Sequence, residues 1–310
     1  MTHQVGTIRI AAAWGAQDAD RLMTAAEQDA DGVDVLRTGP VGIAGWDPVV
    51  FASTEDATVV YPAPAIATVR EAAEAMVAGE LPATAPHHVQ HPRDATRRPT
   101  VPGTPLDRGV DRVCGYAGWV DPMGSTDVPT SVDPLAGPAR LVHGRGWGDA
   151  AEDTTLGTVW DRMPTDGDDP IIVVNAADPH RLAQVDRFLM AAQPGRIIGT
   201  AAALGEAVGA ADIVVVLPTD ADRLAVELTD TVTAVGSATV QVVCGPDLFH
   251  ATEPGALVEY LEGKDRIEPR RSPPGPEAFG VFGRPTLVHT PRTLAQVAAA
   301  ELAGEAGDDV

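Results

Sequence analysis

Three short apolar runs in the second half of the chain set the expected fold class. IIVVN (171–175), ADIVVVLP (211–218) and TVQVVC (239–244) show little polar alternation, the pattern of strands buried on both faces of a parallel sheet. Between them lie PGRIIGTAAALGEAVGA (194–210) and DADRLAVELTDTVTAV (220–235), which have helical composition and length. Strands alternating with helices in this way predict a Rossmann-like α/β domain that takes ligands at the carboxyl ends of its strands.

The first 82 residues read differently. TIRIAAA (7–13) is a strand, and residues 18–31 carry Leu22, Met23 and Ala26 at helical spacing behind an Asp cap. VDVLRTG (33–39), DPVVFAS (47–53) and TVVYPA (58–63) follow as strands, then the Ala-rich helix 68–80 with Gly79 near its end. The order predicts a small thioredoxin-like domain over residues 1–82. Residues 83–138 hold much of the proline, an HHVQH cluster and few periodic apolar positions. They read as a linker with local turns, lying over the second domain. The second domain is expected over 139–300, and residues 301–310 as an acidic, frayed tail.

Composition narrows the partners. The chain of 310 residues is 44% hydrophobic, with 44 acidic residues against 22 basic ones and a net charge of −22. Its one lysine is Lys264. Such a field repels polyanions and argues against nucleic acid or anionic membranes as partners. A surface rich in Asp and Glu and nearly free of Lys predicts a halophilic protein, whose self-repulsion concentrated salt would screen. No apolar run approaches the ~18 residues of a membrane span and no basic, apolar leader is present, so a cytoplasmic location is expected. Two cysteines, Cys114 and Cys244, cannot supply a four-thiolate cluster.

Few motifs suggest chemistry on their own. HGRGWGDA (143–150) is a glycine-rich loop in which Gly144, Gly146 and Gly148 would let backbone N–H groups approach an anion. Arg145 could pair with a phosphate. His87, His88 and His91 have no companion cysteine and read as solvated linker residues rather than metal ligands. His143, His180 and His250 lie near expected strand ends, but no carboxylate at a recognisable spacing orients them. No catalytic residue is assigned. No nucleophile elbow, P-loop, EF-hand or zinc spacing occurs.

Longer stretches carry a resemblance. RVCGYAGWVDP (112–122), GRGWGDA, LGTVW (156–160), NAADPHRLAQVDRFLMAAQPGRIIG (175–199) and residues 256–297 resemble successive segments of one family. That family is the NADH-binding flavoprotein subunit of respiratory complex I, with the related flavin subunits of hydrogenases and formate dehydrogenases. GRGWGDA is similar to its GRGGAGF loop and NAADPHRL to NADEGEPGT. The last fifty residues of that similarity are similar to the ALLESLEGKRG, GLFGKPT and NNVETLANV series. The resemblance implies a flavin domain of the complex I flavoprotein type.

It also implies erosion. RTGPVGIAGW is similar to the family's RTGC-x-G-x-C segment, with Pro40 and Ala44 where cluster cysteines stand, so no iron–sulfur cluster is expected. The family lysine of TGLKW is Val159, and Trp147 and Asp149 are bulkier or charged where the family has small or aromatic groups. The FMN contacts implied are Gly144, Arg145, Gly146, Gly148, Asn175, Asp178, Glu253, His289 and Thr290, the last two standing in for paired asparagines. Residues 179–182 replace GEPGT and are expected to fill the dinucleotide's place, which makes NADH unlikely. The flavin site implied is weak or vestigial. Two functions stay open: an NADH dehydrogenase-like subunit that binds FMN and exchanges electrons with a partner subunit, or a catalytically inactive scaffold or assembly subunit.

Overall fold

A computed structural model describes residues 5–28, 30–107, 112–124, 127–180, 182–232, 234–236, 238–269 and 274–305. Packing divides the chain into two units, residues 1–126 with 191–193, and residues 127–190 with 194–310. No helix among the described residues is long and apolar enough to cross a membrane.

The first unit is built on one mixed sheet. Strands β1 (Gly6–Ala11), β2 (Val33–Thr38), β3 (Val49–Ser53), β4 (Ala57–Pro62) and β5 (His87–Gln90) lie in the order β2-β1-β3-β4-β5. Only the β1–β2 pair is parallel. Helices α1 (Gln17–Gln28) and α2 (Ile66–Val77) follow β1 and β4. Alternation along β1 gives the sheet two different faces. Ile8 and Ile10 join Leu22, Val69 and Met76 in one core. Ala11 joins Val49, Phe51, Val101, Leu106 and Trp119 in another. Arg9 also serves this second face, its guanidinium 4.0 Å from the Trp119 ring and its Nε donating to the Trp119 carbonyl at 2.9 Å.

This second core changes the reading of the middle of the chain. Residues 83–126 pack with the first unit, where the sequence predicts a linker lying over the second domain, and the units divide near residue 126. Val101, Leu106 and Trp119 are spaced too irregularly to show a period, yet they cover a whole sheet face. The histidine cluster contributes β5. His87 stacks on Trp46 and His91 Nε2 bonds to the Arg97 carbonyl oxygen at 2.8 Å. Among the described residues no group of three or more His, Cys, Asp or Glu could hold a metal ion.

The second unit is the expected open α/β sheet. Strands β6 (Ile171–Asn175), β7 (Asp212–Leu217), β8 (Ala234–Val235), β9 (Ala238–Cys244) and β10 (Thr286–His289) run in the order β10-β6-β7-β9-β8. All pairings are parallel except β8–β9. Every residue of β6 is buried, as its unbroken apolar run requires. Helices α3 (Leu156–Trp160), α4 (Val185–Ala192), α5 (Pro194–Val208), α6 (Asp222–Thr231), α7 (Pro254–Leu261) and α8 (Pro291–Glu305) complete the unit. The expected acidic tail starts too early, because α8 continues to Glu305; residues 306–310 lie outside the described residues. From β6 the chain passes to β7 on one side, while β10 returns on the other, so the order reverses beside β6. In such sheets ligands bind outside the carboxyl ends at this reversal. Asn175 and His289 end the two strands that flank it.

Candidate functional site

The loop 143–150 crosses the carboxyl ends of β6 and β10, and its closeness to them explains its glycines. A Cβ on Gly144 would stand 2.3 Å from the Ala151 backbone, and one on Gly148 would stand 2.5 Å from Asn175 Nδ2. Gly146 has φ +90°, and a Cβ there would meet the Arg292 guanidinium at 2.3 Å. The loop is therefore glycine-rich for packing as well as for any ligand.

Side chains tie the loop down from below. Asn175, only 1% exposed, donates Nδ2 to the Gly148 carbonyl at 2.8 Å and to the Thr252 carbonyl at 2.9 Å. Its Oδ1 accepts from the Ala177 N–H at 3.3 Å. Thr290 donates its hydroxyl to the Arg145 carbonyl at 2.7 Å, and the Arg145 N–H donates to Thr293 Oγ1 at 2.9 Å. Asp149 is buried and accepts from the backbone N–H groups of Ala151 and Thr290, at 2.8 and 2.9 Å. Its third partner is His289 Nδ1, at 3.2 Å. Trp160 Nε1 can only donate, and it meets His289 Nε2 at 3.2 Å. The ring proton of His289 therefore sits on Nδ1 and is donated to Asp149.

Arg292 pairs with buried Asp186, Nε to Oδ1 at 3.1 Å and Nη2 to Oδ2 at 2.6 Å. This bidentate pair fixes the start of α8 beside Gly146. Asp178 accepts from the N–H groups of Asp186 and Arg187 at 3.3 and 3.2 Å, at the start of α4. Burial, and then the nearby Asp186 charge, push its carboxyl up to about 7. Burial likewise raises Asp186, against the opposing pull of Arg292. Glu253 caps α7 by accepting from the Ala256 N–H at 2.9 Å.

Two cavities open beside this framework. The larger, of about 1140 Å³, is lined by residues including Trp147, Asp149, Glu152, Arg162, His250 and Glu253. The smaller, of about 570 Å³, is lined by Asp178, His180, Arg187, Asp220 and Asp247 among others. Phe249 lines both. Trp147 stacks on it with ring centroids 5.2 Å apart and an 18° interplanar angle.

The nine expected contacts thus fall into separate groups. Gly144, Gly146 and Gly148 shape the loop, and the side chain of Arg145 is exposed. Asn175, His289 and Thr290 turn their polar groups inward to bond the protein itself. Glu253 lines the larger cavity and Asp178 the smaller. Of residues 179–182, Pro179 and His180 line the smaller cavity and Leu182 is 88% exposed, while Arg181 lies outside the described residues. Among the described residues, the backbone N–H groups of Gly146, Trp147 and Gly148 have no protein acceptor. The sequence expectation missed Phe249, Arg292 and the Asp149–His289 bond. Asp149 and His289 both stood out as departures from the family pattern, and two departures in one site could have been tested as a pair.

Residues 145–299, half of the chain, match the family described as the Nuo51 FMN-binding domain. Two solved structures are similar in fold, those of an NAD+-reducing NiFe-hydrogenase in the H2-reduced and air-oxidized states. The two are 20% identical to this chain, with a TM-score of 0.50. The match covers 96% and 97% of this chain, and 52% and 53% of theirs, so the chain spans about half the length of those solved chains.

Proposed function

The chain belongs to the Nuo51 FMN-binding domain family, and from that membership we propose that it is an NADH dehydrogenase-like flavoprotein subunit that binds FMN and exchanges electrons with a partner subunit. The observation that carries this reading is the run of three loop amides, at residues 146–148, left without a protein acceptor. Adjacent N–H donors of this kind favour an anion such as a phosphate. Arg145, exposed on the same loop, adds a cation that can reach it. The neighbouring cavity of about 1140 Å³ is large enough for a ring system.

In this reading the chain's own residues mainly position the cofactor. Asn175, Asp149, His289, Thr290 and Thr293 hold the loop, and the amides of 146–148 bind the phosphate. The flavin, when bound, supplies the capacity to take up an electron pair and pass electrons on singly. Fewer side chains are available to it than the family resemblance implies, since five of the nine, Asn175, Asp178, Glu253, His289 and Thr290, are bonded internally. Weak binding follows from this. The smaller cavity suits a dinucleotide poorly, because Asp178, Asp220 and Asp247 line it and Arg187 is paired with Asp220. A pyrophosphate there would meet carboxylates rather than cations.

The inward turn of Asn175, His289 and Thr290 favours a second reading, a scaffold that keeps the fold and no flavin. Protein purified in concentrated salt decides between them. A yellow preparation, or stoichiometric reconstitution with FMN, supports the flavoprotein. Colourless protein that takes up no FMN sinks it. NADH is expected to bleach the bound flavin slowly or not at all.

A further inference from the structure

We propose that Trp147 is an internal competitor for the flavin ring: its indole covers Phe249 and must leave that face before a planar ligand can stack there. The inference rests on the flavoprotein reading. Four observations carry it.

First, Phe249 is an obvious surface for a ring, since it is 57% exposed and lines both cavities. Trp147 stacks on it nearly parallel and lines only the larger cavity. A planar ligand in the larger cavity therefore meets an aromatic contact already made. Second, the indole N–H is buried and has no hydrogen-bond partner. A buried, unpaired donor opposes the stacked arrangement, and moving the ring would release it to water or a ligand acceptor. Third, Trp147 sits between Gly146, at φ +90°, and Gly148. Neither neighbour has a side chain to fix the indole. Fourth, the ties that hold this loop are made by Arg145, Gly146, Gly148 and Asp149, the Asp149 N–H donating to the Gly146 carbonyl at 3.0 Å to close a turn around Trp147. None of them uses the indole, so the side chain can rotate without breaking any of them.

Trp147 thus sets flavin affinity by occupancy rather than by contact. A ligand that binds only the unstacked form has its apparent affinity reduced by the fraction of protein in that form. Removing the indole lifts that reduction. The same effect is expected for FMN and for riboflavin, because it acts on the ring and leaves the phosphate contacts alone.

Equilibrium binding of FMN and riboflavin to Trp147→Ala, Trp147→Phe and the unaltered chain, in molar salt, tests this. Trp147→Ala is expected to bind both flavins roughly tenfold more tightly than the unaltered chain, as a ring-stacking competitor of modest strength implies. Trp147→Phe keeps a stacking ring and stays within about threefold of the unaltered chain. A second measurement needs no variant to fold. With 5-fluorotryptophan incorporated, the Trp147 resonance alone among the five should shift strongly when FMN is added.

Each outcome separates the two claims. Trp147→Ala binding no tighter than the unaltered chain, or more weakly, overturns the competitor and leaves the flavoprotein reading standing. Flavin uptake by Trp147→Ala alone supports the competitor and removes the flavoprotein reading from the natural chain. No uptake by any of the three overturns both.

Discussion

Asn175 is the sharpest place to separate a structural tie from a ligand contact. Asn175→Ala removes two donated bonds, to the carbonyls of Gly148 and Thr252, and one accepted from the Ala177 N–H. All four residues are buried, so water cannot replace the lost partners without opening the loop. Leaving a buried group unpaired costs about 1–3 kcal/mol, somewhat less for a carbonyl that keeps a second lone pair solvated. The three together come to about 2–4 kcal/mol after partial relaxation. In a domain of this size each kcal/mol moves the melting temperature by about 2–4 °C, so flavin-free Asn175→Ala should melt roughly 5–15 °C lower. Asn175→Asp, which turns an anion toward two carbonyl oxygens, should fall at least as far. The assay is thermal and denaturant unfolding of flavin-free protein in molar salt, with an unchanged denaturant slope confirming a like transition. A flavin-free variant melting within about 2 °C of the parent would refute the reasoning, because a residue that serves only a ligand leaves the empty protein untouched.

Two further outcomes follow from the charges. Asp178 is raised from its ordinary 3.8 to about 7, mainly by burial. A carboxyl raised on folding contributes stability that is full below its unfolded value and is lost as pH rises through its folded value. Asp178→Asn should therefore melt higher than the parent above pH 7 and lose that advantage as pH falls toward 4; an advantage that grows on acidification would contradict the assignment. The net charge of −22 should make the parent markedly more stable in molar salt than at 0.1 M, as the screening length falls from about 10 to about 3 Å. Melting temperatures that do not rise with sodium chloride would remove the halophilic reading.

Much of the second unit was legible because its strands are short, strongly apolar runs, fully buried in β6 and mostly buried in β7. Unbroken runs such as IIVVN admit few alternatives, and β6, β7 and β9 lie within a residue or so of expectation. The helix expected from residue 194 was equally clear, while the helical stretch expected over 220–235 ends at Thr231 and gives way to strand β8 at Ala234–Val235. Strand β10, only four residues long, was not read as an element, although it carries His289 and half of the site. The candidate residues were found by likeness to a family, which identified positions but could not say which way side chains turn. Asn175 is an instance: its place at the strand end was right, while its amide turns inward to Gly148 and Thr252. The Asp149–His289 bond joins residues 140 apart in sequence and leaves no local trace. Trp119 and Leu106 were hidden for a related reason, since a loop that covers a sheet has no period to detect.

The stretch between the two expected domains has a consequence for how this protein can be taken apart. Severed after residue 82, the N-terminal sheet would lose Val101, Leu106 and Trp119 and bare Val49, Phe51 and Val60 on one side. The compact unit is the longer piece ending near residue 126, together with residues 191–193. A cut that preserves a sheet covered on both faces has to keep that whole piece, proline-rich stretch included.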